Sequence, residues 1–443
     1  MQRPDETISK PAPLNTQPKP LHPMLLRTIT LLSLLALQPL SVPLLHAQPI
    51  PRSEHLPATT PWDLSALGAT PSFEWVDNAQ PVRSVLYTSE PYKGNPTRVF
   101  AYYASPATLQ QRQPNPGEKF PAMVLIHGGG GTAFREWTEL WAKKGYAAIA
   151  MDTAGYRPNE GQNAHDKKNR TRLPDAGPDQ SDQEKFGSVD LPPNDQWPYH
   201  AVAAAIRAHS LIRSFPEVDP ERTGVTGISW GGYLTSIVAG VDSRFKLAVP
   251  VYGCGFLHEN STWLDRLKKM SPAQNERWVS LWDPSRYLGA ATLPMLFING
   301  TNDFAYPLDS YMKSFALPKG PKQLRITVNM PHGHQQGWAP NEIALFADHL
   351  LKNGPPLPQL SSPKWKDTEV HVHCTNPVPL RSAAIHTTSD EGPINKRKWL
   401  TTSASVSGET IVAKAPDATT TAWFVTVTDT RDATVSTEVT IRK

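Results

Sequence analysis

Apolar residues in this chain gather in short solid runs, and between the runs the spacing turns helical. The first solid run, Ala122 to Ile126 in FPAMVLIHGGGG, reads as a strand buried on both faces. In the following stretch, TAFREWTELWAKKG, residues Phe134, Trp137 and Trp141 recur at helical spacing up to Gly145, and YAAIAMD is a second solid run. Strand, helix and strand in this order predict a parallel crossover unit. The alternation then repeats. HAVAAAIRAHSLIRSF predicts a helix stopped at Pro216, TGVTGIS a strand, WGGYLTSIVAGV a helix, and RFKLAVPVYG, LPMLFING and QLRITVNM further strands. NEIALFADHLLKN is an amphipathic closing helix, with Ile343, Leu345, Phe346, Leu350 and Leu351 as its apolar positions. Upstream, the β-rich runs of 82–104 flank a KGNP turn, as a hairpin at the sheet edge would. The class is therefore α/β: a mostly parallel sheet with helices on both faces, over residues 48–353.

Three stretches break this rhythm. Residues 157–196 are charged, proline-rich and aperiodic, and a loop of that length inside a compact domain is usually a functional lid. GPPLPQLSSP, residues 354–363, is a stiff extended linker. Beyond it EVHVHC, SAAIHTT, ETIVAKA and AWFVTVTD alternate with period two, which predicts a small β-sandwich over 364–443. At the other end, Arg27 precedes an apolar stretch broken by Pro39 and Pro43 that closes on Ala47. Residues 1–47 thus read as a secretory signal with a cut near Ala47 and an alternative start at Met24, so the protein is expected to be secreted or periplasmic. The proline breaks argue against stable membrane insertion.

Composition narrows the function classes further. A net charge of +4 with no concentrated basic block excludes nucleic acid as the expected partner. Two cysteines, Cys254 and Cys374, cannot make a metal site, although in an exported chain they could pair. Neither metal nor cofactor is expected. The 45 prolines, about twice the usual ~5%, point to long ordered loops.

GISWG, residues 227–231, fits the G-x-S-x-G turn that raises a serine between a strand and a helix. A serine needs a base, and the base needs a third group to fix its tautomer. Asp303 lies just past the carboxyl end of LPMLFING, with Asp309 as runner-up acid. QLRITVNM delivers MPHGH, which offers both His332 and His334 as base. Backbone donors for a developing oxyanion would come from Trp230 and from HGGGG, with Gly129 or Gly130 favoured. Trp365, Trp399 and Trp423 could stack on a sugar ring, though core packing is the commoner use.

HGGGG, GISWGGY, NGTNDFAYP and MPHGH, in this order, resemble the α/β-hydrolase superfamily over residues 82–353, close to its acetyl xylan esterase, dienelactone hydrolase and prolyl oligopeptidase branches. The resemblance implies Ser229 as nucleophile, Asp303 as orienting acid and His334 as base, through the Gly-His pair of HGH, with His332 lining the site. It departs from dienelactone hydrolases in its serine and from oligopeptidases in having too little chain upstream for a propeller. The expected function is a serine hydrolase acting on a small ester or an acylated polysaccharide. A peptidase of the prolyl oligopeptidase kind and a binding protein on a retired hydrolase scaffold are the alternatives.

Overall fold

The computed structural model describes residues 50–442, so the signal expectation for 1–47 lies outside the described residues. The strands of the first part are β1 (Phe73–Asp77), β2 (Arg83–Tyr92), β3 (Asn95–Ala104), β4 (Phe120–Ile126), β5 (Ala147–Met151), β6 (Tyr156–Pro158), β7 (Arg170–Arg172), β8 (Val218–Ile228), β9 (Leu247–Val251), β10 (Met295–Gly300) and β11 (Lys322–Thr327). The principal helices are α1 (Arg135–Lys143), α2 (Trp197–Arg213), α3 (Trp230–Val241), α4 (Leu308–Ala316), α5 (His334–Trp338) and α6 (Asn341–Lys352).

Pairing runs β1, β2, β3, β5, β4, β8, β9, β10, β11 across the sheet. Strands β1 to β3 are antiparallel to their neighbours, and every contact from β5 to β11 is parallel. The solid apolar runs sit where both faces are covered: Met123, Val124, Leu125 and Ile126 of β4 are wholly buried, as are Ala147, Ala148 and Ile149 of β5. The hairpin turns at Lys93 and Gly94, both with positive φ, which the KGNP turn predicted. Helix α6 stops where Asn353 adopts a left-handed conformation.

The aperiodic segment 157–196 has structure of its own. It holds the β6–β7 hairpin, a 3-10 turn at Lys167–Asn169 and a π-turn at Gln183–Gly187, and its Phe186 and Val189 are buried in the main core.

Beyond α6 the chain is all strand: β12 (Gln359–Leu360), β13 (Lys364–Lys366), β14 (Glu369–Thr375), β15 (Leu380–Thr388), β16 (Leu400–Ser407), β17 (Thr410–Lys414), β18 (Ala422–Asp429), β19 (Thr434–Ser436) and β20 (Thr440–Ile441). These form a sandwich-like region in which β16 pairs with β15 on one side and β17 on the other. The region is joined to the first part by the sheet itself: β19 pairs antiparallel with β11, and the Ile326 N–H donates to Ser436 Oγ at 3.0 Å. The Thr434 N–H donates to Glu342 of α6 at 2.6 Å, and Arg431 donates to the carbonyls of Pro355 and Pro356 in the linker. Cys254 and Cys374 are both buried and unpaired. Trp423 is buried and Trp399 packs on the core, whereas Trp365 is 50% exposed.

Candidate functional site

Ser229 stands between the last residue of β8 and the first of α3 with φ 58° and ψ −118°, a conformation that costs an L-residue of order 1–3 kcal/mol. The flanking glycines explain how the chain makes the turn. A Cβ on Gly227 would lie 2.2 Å from the carbonyl oxygen of Gly231, and one on Gly231 would lie 2.0 Å from that of Ile126. No other residue type fits either place.

The carboxyl ends of β10 and β11 bring the remaining groups to this turn. Asp303 is 2% exposed, and its Oδ1 accepts the N–H groups of Ala305 and Tyr306 at 2.9 and 2.8 Å. That grip aims Oδ2 at His332 Nδ1, 2.7 Å away. On the far side of the ring, His332 Nε2 is 2.9 Å from Ser229 Oγ. The ring rests on Tyr252, with centroids 4.3 Å apart, and is flanked by the 56% exposed Phe304 at 4.9 Å. The Tyr252 hydroxyl donates to the Gly333 carbonyl and so pins the turn that follows His332. Asp309, the runner-up acid, instead accepts from the side-chain amide of Asn260.

The expectation for His334 is corrected here. Gly333 has an extended φ of −165°, so the chain does not swing back; His334 opens α5 and its ring passes beneath the glycine loop. There Nε2 accepts the N–H of Gly128 at 3.1 Å, and the ring packs on Phe134 at 4.8 Å. Burial, helped by the neighbouring imidazoles of His127 and His165, pushes its pKa down to about 3, so the ring is neutral and acts as an acceptor.

The donors of the glycine loop distinguish Gly129 from Gly130. The Gly128 N–H goes to His334, that of Gly130 to Gln180 Oε1 at 3.1 Å, and that of Gly131 to the Gly128 carbonyl at 3.0 Å. Among the described residues this leaves the N–H of Gly129 without an acceptor. A Cβ on Gly129 would lie 2.9 Å from Trp230 Cδ1, so the backbone lies close against that side chain. The Trp230 N–H, at the first position of α3, likewise has no intrahelical partner. Arg170 clamps the loop from behind, donating to the carbonyls of Gly130 and Gly131 at 2.9 and 2.6 Å. The Trp230 indole is itself enclosed by Phe186, Trp197 and Trp263, with Lys185 Nζ 4.6 Å from its ring.

Ser229 and Asp303 therefore stand where the sequence reading put them. Arg170, Gln180, Tyr252 and Phe304 were missed. Arg170 and Gln180 fall in the aperiodic segment, where nothing in the local pattern marks one polar residue above another.

Comparison with known proteins adds two partly overlapping family matches. The model for "Acetyl xylan esterase (AXE1)" matches residues 71–266, and that for the "Prolyl oligopeptidase family" matches residues 194–351. The chain has the α/β-hydrolase fold, a mostly parallel sheet with the serine turn at the carboxyl end of β8. Among the curated relatives of this α/β-hydrolase is the "Uncharacterized peptidase YuxL" of Bacillus subtilis, 28% identical over 47% of this chain and 30% of that protein. Another is the "Acetyl esterase Axe7A" of Xylanibacter ruminicola, 24% identical over 48% of this chain and 50% of that protein. The match thus spans half or less of each relative's own length. Of solved structures, an acetyl xylan esterase from Paenibacillus sp. R4 aligns with a TM-score of 0.46 at 24% identity, covering 59% of this chain and 83% of that one.

Proposed function

We propose that this α/β-hydrolase is a serine esterase that cleaves carboxylic esters through an acyl-enzyme, with acylated carbohydrate as the substrate class. The observation that carries the reading is the unbroken hydrogen-bonded chain Asp303–His332–Ser229. His332 Nε2 takes the proton as Ser229 Oγ attacks the ester carbonyl. Asp303 holds the Nδ1–H tautomer and stabilises the imidazolium. The N–H groups of Gly129 and Trp230 receive the oxyanion, and His332 then returns the proton to the departing alkoxide. Water, activated by the same imidazole, hydrolyses the acyl-serine.

The acetyl xylan esterase match over residues 71–266 supports an ester, and an acetyl group in particular. A peptidase is the second reading, favoured by the prolyl oligopeptidase match over residues 194–351. The apolar segment ending at Ala47 supports export. Turnover of an acetylated glycoside beside an acylated dipeptide anilide separates the two enzymes. A fluorophosphonate probe should label Ser229 and leave Ser229→Ala unlabelled; an unlabelled wild-type chain would favour a retired scaffold.

A further inference from the structure

A cavity of about 280 Å³ opens beside the glycine loop, and its wall includes Gly130, Tyr156, Lys167, Arg170, Asp179 and Gln180. Donors outnumber acceptors in this wall. The Lys167 ammonium lies against the loop, its Nζ 3.3 Å from where a Cβ of Gly130 would stand, and among the described residues it has no ion-pair partner. Asp166, the nearest acid in sequence, is taken by Lys168 at 3.0 Å. The Arg170 guanidinium bonds only carbonyl oxygens, those of Gly130, Gly131, Ala164 and His165, so no carboxylate offsets its charge at contact distance. Gln180 turns its Oε1 to the Gly130 N–H, which fixes the amide orientation and leaves its buried Nε2 without an acceptor. The one acid in the wall, Asp179, has Oδ1 accepting the N–H of Ser181 at 2.8 Å.

An ammonium with no ion-pair partner, a guanidinium whose attracting acids Asp152 and Asp166 make no contact with it, and an orphaned amide donor call for a ligand group that brings negative charge and acceptor oxygens. We propose that this cavity is a subsite for a carboxylate carried by the ester substrate. The inference rests on the esterase reading, and the shared loop sets its place: Gly130 and Gly131 wall the cavity, while Gly129 next to them has the loop's free N–H and lies against Trp230, the residue after Ser229. The carboxylate could belong to the alcohol, as in an acetylated uronide, or to the acyl group, as in a succinyl ester of a neutral sugar. Lys167 would make the contact, and Arg170, four of whose five N–H donors go to carbonyls, would mainly add field.

The test compares kcat/KM on the full chain for an acetylated uronide, the acetylated neutral glycoside of the same configuration, and the succinyl ester of that glycoside. At low salt one acid-bearing ester should be favoured over the neutral one roughly tenfold to a hundredfold, the scale of a charge-assisted hydrogen bond, and salt should shrink the ratio. Preference for the uronide locates the acid on the alcohol side, and preference for the succinyl ester on the acyl side. Lys167→Gln should collapse the ratio and Lys167→Arg restore it. A ratio near one in the wild type, or an equal loss on both substrates in Lys167→Gln, overturns the subsite. Titration calorimetry with free galacturonate and succinate keeps the two readings apart. If no ester is turned over but either acid binds saturably and Lys167→Gln abolishes it, the esterase reading fails and the subsite stands; no binding of either acid with no preference overturns the subsite alone.

Discussion

Replacing each of the two histidines of MPHGH in turn tests the site most sharply, because they are separated by one glycine and make different contacts. In His332→Ala the 2.9 Å contact to Ser229 and the 2.7 Å contact to Asp303 vanish together. Turnover of a small acetyl ester should then fall by about 10⁴- to 10⁶-fold, the loss typical of removing a triad histidine. In His334→Ala the serine keeps its base, but the Gly128 N–H loses its acceptor beneath the loop. Leaving one such donor unsatisfied costs about 1–3 kcal/mol. If part of that cost appears as misplacement of the neighbouring Gly129 N–H, kcat falls about tenfold to a hundredfold with KM little changed. His334→Gln, whose amide oxygen can accept at a similar reach, should recover most of the loss. Because burial holds the His334 pKa down to about 3, its ring is already neutral at assay pH, and the His334 variants should keep the wild-type shape of the pH–rate profile. Stopped-flow measurement of acyl-enzyme burst and steady state on both variants decides the matter. A nearly inactive His334→Ala beside a His332→Ala that keeps most of its rate would refute the assignment.

Arg170→Ala, which frees the carbonyls of Gly130 and Gly131, should lower kcat about tenfold to a hundredfold in a still-folded protein, read by steady-state kinetics beside circular dichroism. Ser229→Gly should abolish turnover with a Tm no lower than wild type, since glycine accepts φ 58° without strain; a drop of several degrees in calorimetry would count against stored strain. Stability should decline as pH falls from about 6.5 towards 4: burial lowers the native pKa of His334 to about 3 and of His386 to about 4, so below the ordinary value of about 6.5 only the unfolded chain takes up these protons. Urea melts at pH 7 and 4.5 check the sign, and a midpoint that rises on acidification contradicts it. Deleting residues 364–443 should destabilise the whole hydrolase, because the pairing of β19 with β11 and the buried Phe424 and Val439 go with them; an unchanged Tm in the truncated chain would show the two parts to be independent.

Much of this site was legible because its chemistry is tied to strand ends. Ser229 is flagged by glycines that sterics impose, and Asp303 by its place just after the buried run of β10. The alternating solid and periodic runs likewise predicted the crossover from β4 through α1 to β5, where Ala122 pairs with Ala147. The histidine was not legible because one residue of offset decides which ring faces the serine, and that depends on Tyr252 holding the Gly333 carbonyl from 81 residues away. The clamp of Arg170 and Gln180 on the glycine loop was equally hidden. It comes from a segment whose order derives from hydrogen bonds to other parts of the chain and leaves no period in its sequence.

The pairing of β19 with β11 also has a consequence during synthesis. Ile326 and its partner Ser436 are 110 residues apart, so at about 5–20 residues per second the edge of the parallel sheet is made roughly 5–20 s before the strand that covers it. Throughout that interval β11 presents unpaired backbone groups beside apolar Leu324 and Ile326, the kind of edge that recruits a strand from a neighbouring nascent chain. Slow translation or crowded ribosomes would therefore favour aggregation or strand exchange at this edge, and a chaperone that shields extended chain would act most usefully here.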